Sequence, residues 1–170
     1  MTIVELDERG LREFLKRRVA VVAFYAGRCL ATARLETRLR CRDLGLPVGR
    51  VDCDREVVLC GELGVKSLPT LHLYVKGRLL MAVEGYDRTA IDRLMDVAAM
   101  LRERRVLEAA SRILDAAEAF DLRVDQRALH DVLRRGGKCP LRANVECPCP
   151  DLERQVEKHG RCGYGLLRRG

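Results

Sequence analysis

Residues 19 to 26, VAVVAFYA, form a continuous apolar run of strand length. A strand that shows one face to water alternates polar and apolar residues, so an unbroken run needs cover on both faces. This places the run at the centre of a sheet with helices on either side, an α/β arrangement. Gly27, Arg28 and Cys29 follow at once, and then LATARLETRLRC, which is helix-compatible. Cys29 therefore sits where a strand hands over to a helix N-terminus. The helix dipole and unpaired amides there favour a thiolate and lower its pKa.

The neighbouring segments supply the rest of such a domain. Thr2 to Glu5 is a short strand candidate, and Asp7 caps a helix over ERGLREFLKRR with Leu11, Phe14 and Leu15 on one face. After the loop DLGLPVG, VGRVDCD reads as a strand and REVVLCGELGV as a short helix ending near Gly64. Ser67-Leu68-Pro69-Thr70 leads into TLHLYV, and Lys76-Gly77 turns the chain into RLLMAVEGY as a β-hairpin. The order is βαβαβ, then a hairpin, then a helix.

On FYA before Cys29, VDCD, GVKSLPTLHLY and Gly85, residues 1 to about 100 resemble a thioredoxin-like domain. The resemblance implies that Cys29 is the nucleophile of a Cys-x-x-Cys motif. It also implies that Pro69 is cis, lies against that cysteine and borders the groove receiving substrate backbone. Thr32 stands where the second cysteine is expected, Ala23 where a buried Asp is usual, and Arg28 where Trp is usual. A mixed disulfide on Cys29 thus has no second thiol in the motif to release it. Three readings follow: a monothiol nucleophile with Arg28 and Thr32 stabilising the thiolate, a docking or ligand residue, or a relic on a fold kept for binding. Cys41, Cys53 and Cys60 are expected to be unpaired or buried thiols, with Cys53 facing the core. A pairing of Cys29 with one of them stays open.

From Asp87 to Asp121 there is neither Gly nor Pro, and apolar residues recur at helical spacing. Either one helix of about 33 residues, near 50 Å, or two helices meeting near Arg104-Arg105 fits this. A thioredoxin-like fold needs only the first half as its last helix. The expected division is 1–103 and 104–170.

The tail carries Cys139, Cys147, Cys149 and Cys162 in a segment punctuated by Gly and Pro. Four thiolates in one short segment suit a tetrahedral metal or an iron–sulfur cluster. Asp125 caps a helix over QRALHDVLRR that Gly136-Gly137 ends, and three motifs follow: Cys139-Pro140-Leu141, Cys147-Pro148-Cys149 and Cys162-Gly163-Tyr164 after HGR. On these residues, roughly 104 to 168 resembles the catalytic subunit of ferredoxin:thioredoxin reductase. The resemblance implies that Cys139, Cys147, Cys149 and Cys162 hold a [4Fe–4S] cluster. The family's redox-active disulfide falls on Leu141 and Tyr164, so both members of that pair are absent while every ligand is present. Structural zinc on the same four thiolates is the alternative, with a set of disulfides behind it. His159 reads as an exposed helix-end residue.

The formal net charge is +7, but basic residues interleave with Glu and Asp, as in LRERRVLEAASR, and no dense basic run carries aromatics. That argues for a solvated face over nucleic-acid binding, and leaves room for an acidic protein partner. Asn144, Gln126 and Gln155 are the whole Asn/Gln set, a composition expected of a thermophile and also of a GC-rich genome. No apolar signal core or membrane-length run is visible, so a soluble cytoplasmic protein is expected.

The functional expectation is an iron–sulfur thiol-redox protein. Electrons from a ferredoxin-like donor would pass through a [4Fe–4S] cluster to a protein disulfide, a thioredoxin-like substrate or another sulfur substrate, with Cys29 as the thiol. The alternatives are a non-catalytic adaptor with a structural Cys₄ zinc or cluster site, and an iron–sulfur carrier or sensor.

Overall fold

The computed structural model describes residues 2–27, 29–42 and 44–170. Arg28, expected beside the Cys29 thiolate, lies outside them. The chain forms two compact units, Met1–Ala99 and Met100–Gly170.

The first unit runs β1 (Ile3–Glu5), α1 (Glu8–Phe14), β2 (Val19–Tyr25), α2 (Leu30–Arg40), β3 (Val48–Asp52), α3 (Val57–Glu62), β4 (Thr70–Val75), β5 (Arg78–Glu84) and α4 (Arg88–Met100). The strands make one mixed sheet in the order β1-β3-β2-β4-β5. β3 pairs in parallel with β1 and β2, while β4 is antiparallel to both β2 and β5. The apolar run is the middle strand, and all seven of its residues are buried. Unbroken burial follows from helices packing on both sides.

Asp7 caps α1 by accepting the Gly10 N–H at 2.7 Å, which aims Leu11 and Phe14 at an apolar cluster with Val22, Phe24 and Val51. Lys76 and Gly77 both have positive φ, as the tight turn between β4 and β5 demands. Arg38 of α2 grips Asp92 of α4 through two hydrogen bonds of 2.7 Å, and Arg42 pairs with Asp96 one turn on.

One expectation is corrected here. Cys53 and Cys60 are not free thiols but a disulfide, with Cα atoms 5.9 Å apart. Cys53 lies just past β3 and Cys60 in α3, and the short turn between them folds α3 back within bonding range. Cys41 is free and exposed.

The second unit runs α5 (Arg104–Ala119), β6 (Arg123–Val124), α6 (Gln126–Arg134), α7 (Leu152–His159) and β7 (Leu167–Arg168). The stretch without Gly or Pro is thus two helices. Glu103 takes an extended conformation, φ −75° and ψ 127°, which starts α5 afresh. Asp125 caps α6 by accepting the N–H groups of Arg127 and Ala128, each at 3.0 Å. β6 and β7 pair antiparallel, so the last residues fold back beside the α5–α6 connection.

Candidate functional site

Cys29 is the N-cap of α2, extended at φ −104° and ψ 122°. Its thiol is pushed below the ordinary range, first by the Thr32 backbone N–H, then by that of Ala31. These are first-turn amides, the Thr32 N–H also donating to the Cys29 carbonyl at 3.0 Å, and they stabilise a sulfur anion placed over them. The Thr32 side chain makes a smaller contribution, and its buried hydroxyl has no partner of good hydrogen-bond geometry. The Leu68–Pro69 peptide is cis, and the Thr70 hydroxyl donates to the Ser67 carbonyl at 2.6 Å, pinning that loop.

The strand registers explain how these pieces share one edge. Tyr25 at the end of β2 is level with Asp52 at the end of β3, and Phe24 is level with Thr70 at the start of β4. The segments 26–27, 53–56 and 67–69 therefore adjoin neighbouring strands at the same end of the sheet. Ligand sites of open α/β sheets collect at such ends.

In the second unit, three cysteines converge. The Sγ atoms of Cys139, Cys147 and Cys149 all lie within 4.8 Å of one another, a group able to hold a metal ion. The backbone sets them there. The Cys139 N–H donates to Val145 at 2.7 Å and the Cys147 N–H donates to Gly137 at 2.8 Å, closing the 138–146 loop as a narrow hairpin. A cis Cys147–Pro148 bond follows, and α7 starts just past Cys149, with Leu152 donating to the Cys149 carbonyl at 3.0 Å. Arg142 clasps Asp151 with bonds of 2.8 and 3.1 Å, tying the loop to the start of α7.

Cys162 is brought to the same place from the other end of α7. Gly160 ends the helix at φ +68°, and the Cys162 N–H donates to Leu167 at 2.8 Å. Cys162 Sγ accepts the Leu167 N–H at 3.4 Å. It lines a cavity of about 680 Å³ together with Cys139 and Cys149, although it stands outside the compact triad. Leu141, 63% exposed, and Tyr164 also line that cavity, and the Tyr164 hydroxyl donates to Asp131 at 2.9 Å.

Burial pushes the Cys147 thiol well above the ordinary range, with Cys139 beside it as the next cause. Cys149 is pushed up to about 11, again first by burial and then by its hydrogen bond to Cys139. Crowded, half-dry sulfurs resist carrying several negative charges together, and a bound cation offsets that repulsion. The donor set is all thiolate, which suits zinc or an iron–sulfur centre and not a hard cation such as magnesium.

Among the described residues the structure thus assembles two places, each inside one unit: the sheet end bearing Cys29, Thr32 and Pro69, and the cavity bearing the tail cysteines. Three features went unread in the sequence. They are the Cys53–Cys60 disulfide, the Arg142–Asp151 clasp, and the contact of Asp54 Oδ2 with the Gly27 N–H at 3.0 Å. The Cys-x₆-Cys spacing was the only available signal for the first. The other two depend on loop geometry.

Comparison with known proteins bears on the first unit. The thioredoxin family profile matches residues 2–97. A mutant thioredoxin from Halobacterium salinarum superposes with a TM-score of 0.53 at 24% identity, over 60% of this chain and 92% of that one. Thioredoxin from Malassezia sympodialis gives 0.52 at 17% identity, over 58% and 91%. Thioredoxin f from spinach chloroplast gives 0.52 at 17%, over 57% and 93%. At these identities the likeness shows the fold. No curated protein matches. No helix among the described residues is long and apolar enough to cross a membrane.

Proposed function

This chain belongs to the thioredoxin family through residues 2–97, and we propose that it is an iron–sulfur thiol-redox protein in which a cysteine-held centre in residues 104–170 serves thiol chemistry at Cys29. The observation that carries the reading is the convergence of Cys139, Cys147 and Cys149, with Cys162 on the same cavity, in a chain whose other unit has a thiol-redox fold.

Cys139, Cys147, Cys149 and Cys162 would hold the centre. When bound, a [4Fe–4S] cluster supplies one-electron chemistry, from a ferredoxin-like donor toward a disulfide or other sulfur substrate. The Leu167 N–H aimed at Cys162 Sγ is the kind of bond that tunes such a centre. Arg142 and Asp151 hold the ligand loop against α7. Leu141 and Tyr164 supply no thiol at the cavity, so the thiol step falls to Cys29. The amides of Thr32 and Ala31 lower the pKa of its thiol, and the edge beside cis-Pro69 receives the substrate backbone.

A second reading has its own observation. Three sulfurs within 4.8 Å approach the edge of a tetrahedron around one zinc ion, about 3.8 Å for a 2.3 Å bond. The centre is then structural, and the protein is an adaptor that holds a partner near Pro69.

Anaerobic purification, followed by iron, sulfide and zinc analysis and an EPR spectrum, decides between them. About four irons and four sulfides per chain is the expected result for a [4Fe–4S] centre; one zinc and no iron selects the adaptor. Iron transfer to an apo-acceptor would instead mark a carrier. Cys29→Ser should then abolish disulfide turnover and leave the brown absorbance intact. Full turnover in that variant removes Cys29 from the mechanism.

A further inference from the structure

With Thr32 in the usual place of the resolving cysteine, a mixed disulfide on Cys29 needs a thiol from elsewhere to release its substrate. The Cys53–Cys60 pair leaves the sheet at the same end as Cys29. The Cys53 N–H donates to the carbonyl of Tyr25, the last residue of β2, at 2.8 Å. The adjoining Asp54 accepts the Gly27 N–H at 3.0 Å, so the turn carrying Cys53 is fastened two residues short of Cys29. On its other flank the Val65 N–H donates to the Cys60 carbonyl at 3.0 Å, and Leu68, just before Pro69, packs on the same apolar cluster as Cys53 and Cys60. The pair stands beside both loops of the thiol edge. The start of α3, between its members, is open to solvent, with Val57 and Val58 exposed by 66% and 75%.

We propose that Cys53 and Cys60 are the resolving pair for Cys29, forming a three-cysteine relay that completes the exchange Thr32 leaves open. This rests on Cys29 as the nucleophile and not on the identity of the metal centre.

The steps balance as ordinary thiol–disulfide exchange. The Cys29 thiolate attacks a substrate disulfide, forming Cys29–S–S–substrate and expelling one substrate thiolate, which takes up a proton. The Cys53 thiolate then attacks Cys29 Sγ, releasing the second substrate thiol and forming a Cys29–Cys53 bond. The Cys60 thiolate attacks Cys53 Sγ, forms the Cys53–Cys60 disulfide seen in the structure, and returns Cys29 as thiolate. Two thiols are oxidised to one disulfide and one substrate disulfide is reduced to two thiols. An external dithiol reductant resets the pair by the reverse exchanges.

Burial matches the roles. Cys53 is half-buried on the turn tied to Gly27, whereas Cys60 is 5% exposed and needs to meet only Cys53. The last step expels a sulfur already favoured as an anion by the α2 amides, and a low-pKa thiol leaves faster.

The test uses the full chain, reduced with dithiothreitol, desalted anaerobically, given one equivalent of glutathione disulfide, quenched by alkylation and mapped as non-reduced peptides over time. Wild type should end with Cys53–Cys60 closed and Cys29 free, and Cys29→Ser should slow that closure at least tenfold. Cys60→Ser should accumulate a Cys29–Cys53 peptide, and Cys53→Ser should stop at glutathione on Cys29. Closure at the wild-type rate in Cys29→Ser, or a persistent Cys29–glutathione adduct in wild type beside reduced Cys53 and Cys60, overturns the relay and leaves the pair a brace. No adduct on Cys29 in folded Cys53→Ser overturns the nucleophile reading and the relay with it, so the two failures differ in what is seen. The Cys29→Ser comparison keeps both relay cysteines, and therefore decides the matter even if neither relay substitution folds.

Discussion

At the scale of single residues, and among the described residues, the Cys29 thiol is lowered chiefly by backbone N–H groups. The largest lowering of its pKa comes from the Thr32 N–H, which lies in the first turn of α2 and also donates to the Cys29 carbonyl at 3.0 Å. Thr32→Ala keeps that N–H and should hardly move the pH midpoint of Cys29 alkylation. Thr32→Pro removes it and should shift the midpoint up, toward that of the unfolded chain. Equal midpoints in the two variants would show that the amide is not the cause.

His72 carries the opposite lesson. It is buried in β4, with Nδ1 2.9 Å from the Tyr74 hydroxyl and its ring 4.8 Å from that of Phe24. Burial pushes its pKa down from 6.5 to about 4. The unfolded chain therefore binds the proton first as pH falls. Stability is unaffected above pH 6.5, declines between 6.5 and about 4, and loses on the order of 3 kcal/mol across that window. Denaturant titrations at pH 7 and pH 4 should show that loss in wild type. In His72→Phe this contribution should vanish.

At the scale of elements, much of the first unit is written in its residues and much of the second is not. The run Val19–Tyr25 declares a central strand because no other setting hides seven consecutive apolar side chains. Asp7 and Asp125 declare helix starts because their carboxylates find first-turn amides within three residues. Those signals are local. The 138–146 hairpin, the β6–β7 pairing and the approach of Cys162 depend on groups brought together only by the finished chain, so four cysteines could be counted but not arranged. The Cys53–Cys60 bond escaped for a related reason: spacing alone does not say whether a strand-end cysteine turns inward to the core or sideways to a helix.

Two expectations follow from these elements. Closing a seven-residue separation is worth about 2.5 kcal/mol by chain entropy. Reduction of Cys53–Cys60, or its replacement by a Ser pair, should lower unfolding free energy by about that amount if the bond acts only on the unfolded chain. Gly137 is the second case. It sits at φ +88°, and a Cβ there would come within 2.4 Å of Ala109 Cβ on α5. Its carbonyl also accepts the Cys147 N–H at 2.8 Å. Gly137→Ala should therefore cost about 2–3 kcal/mol through overpacking and strained backbone, and should reduce metal content per chain as Cys147 shifts. Gly160→Ala has no such neighbour within 4 Å; its cost, confined to the left-handed backbone, makes it the control for a general loss of folding.

At the scale of the whole molecule, the two units rest on different supports. The first has a five-stranded sheet, two covering layers and a disulfide. The second, Met100–Gly170, has α5, α6 and α7, a two-residue strand pair, and a cysteine loop in which Cys139 and Cys147 are buried. A core of about 70 residues rarely supplies more than about 3–5 kcal/mol, and a structural metal is one staple that adds to it. A bound centre would link the 138–149 loop to the segment after α7, so its binding energy adds to the folding of this unit. Thermal unfolding of the loaded protein should show the second unit's transition moving down by tens of degrees, or vanishing, when the centre is stripped anaerobically. The first unit's sheet signal should melt where it did before. Far-UV loss on stripping should be helical in character, since α5 to α7 are what the centre would anchor. If stripped protein keeps both transitions unchanged, the cysteine cavity is not what holds residues 100–170 together, and the case for a resident metal there loses its main energetic support.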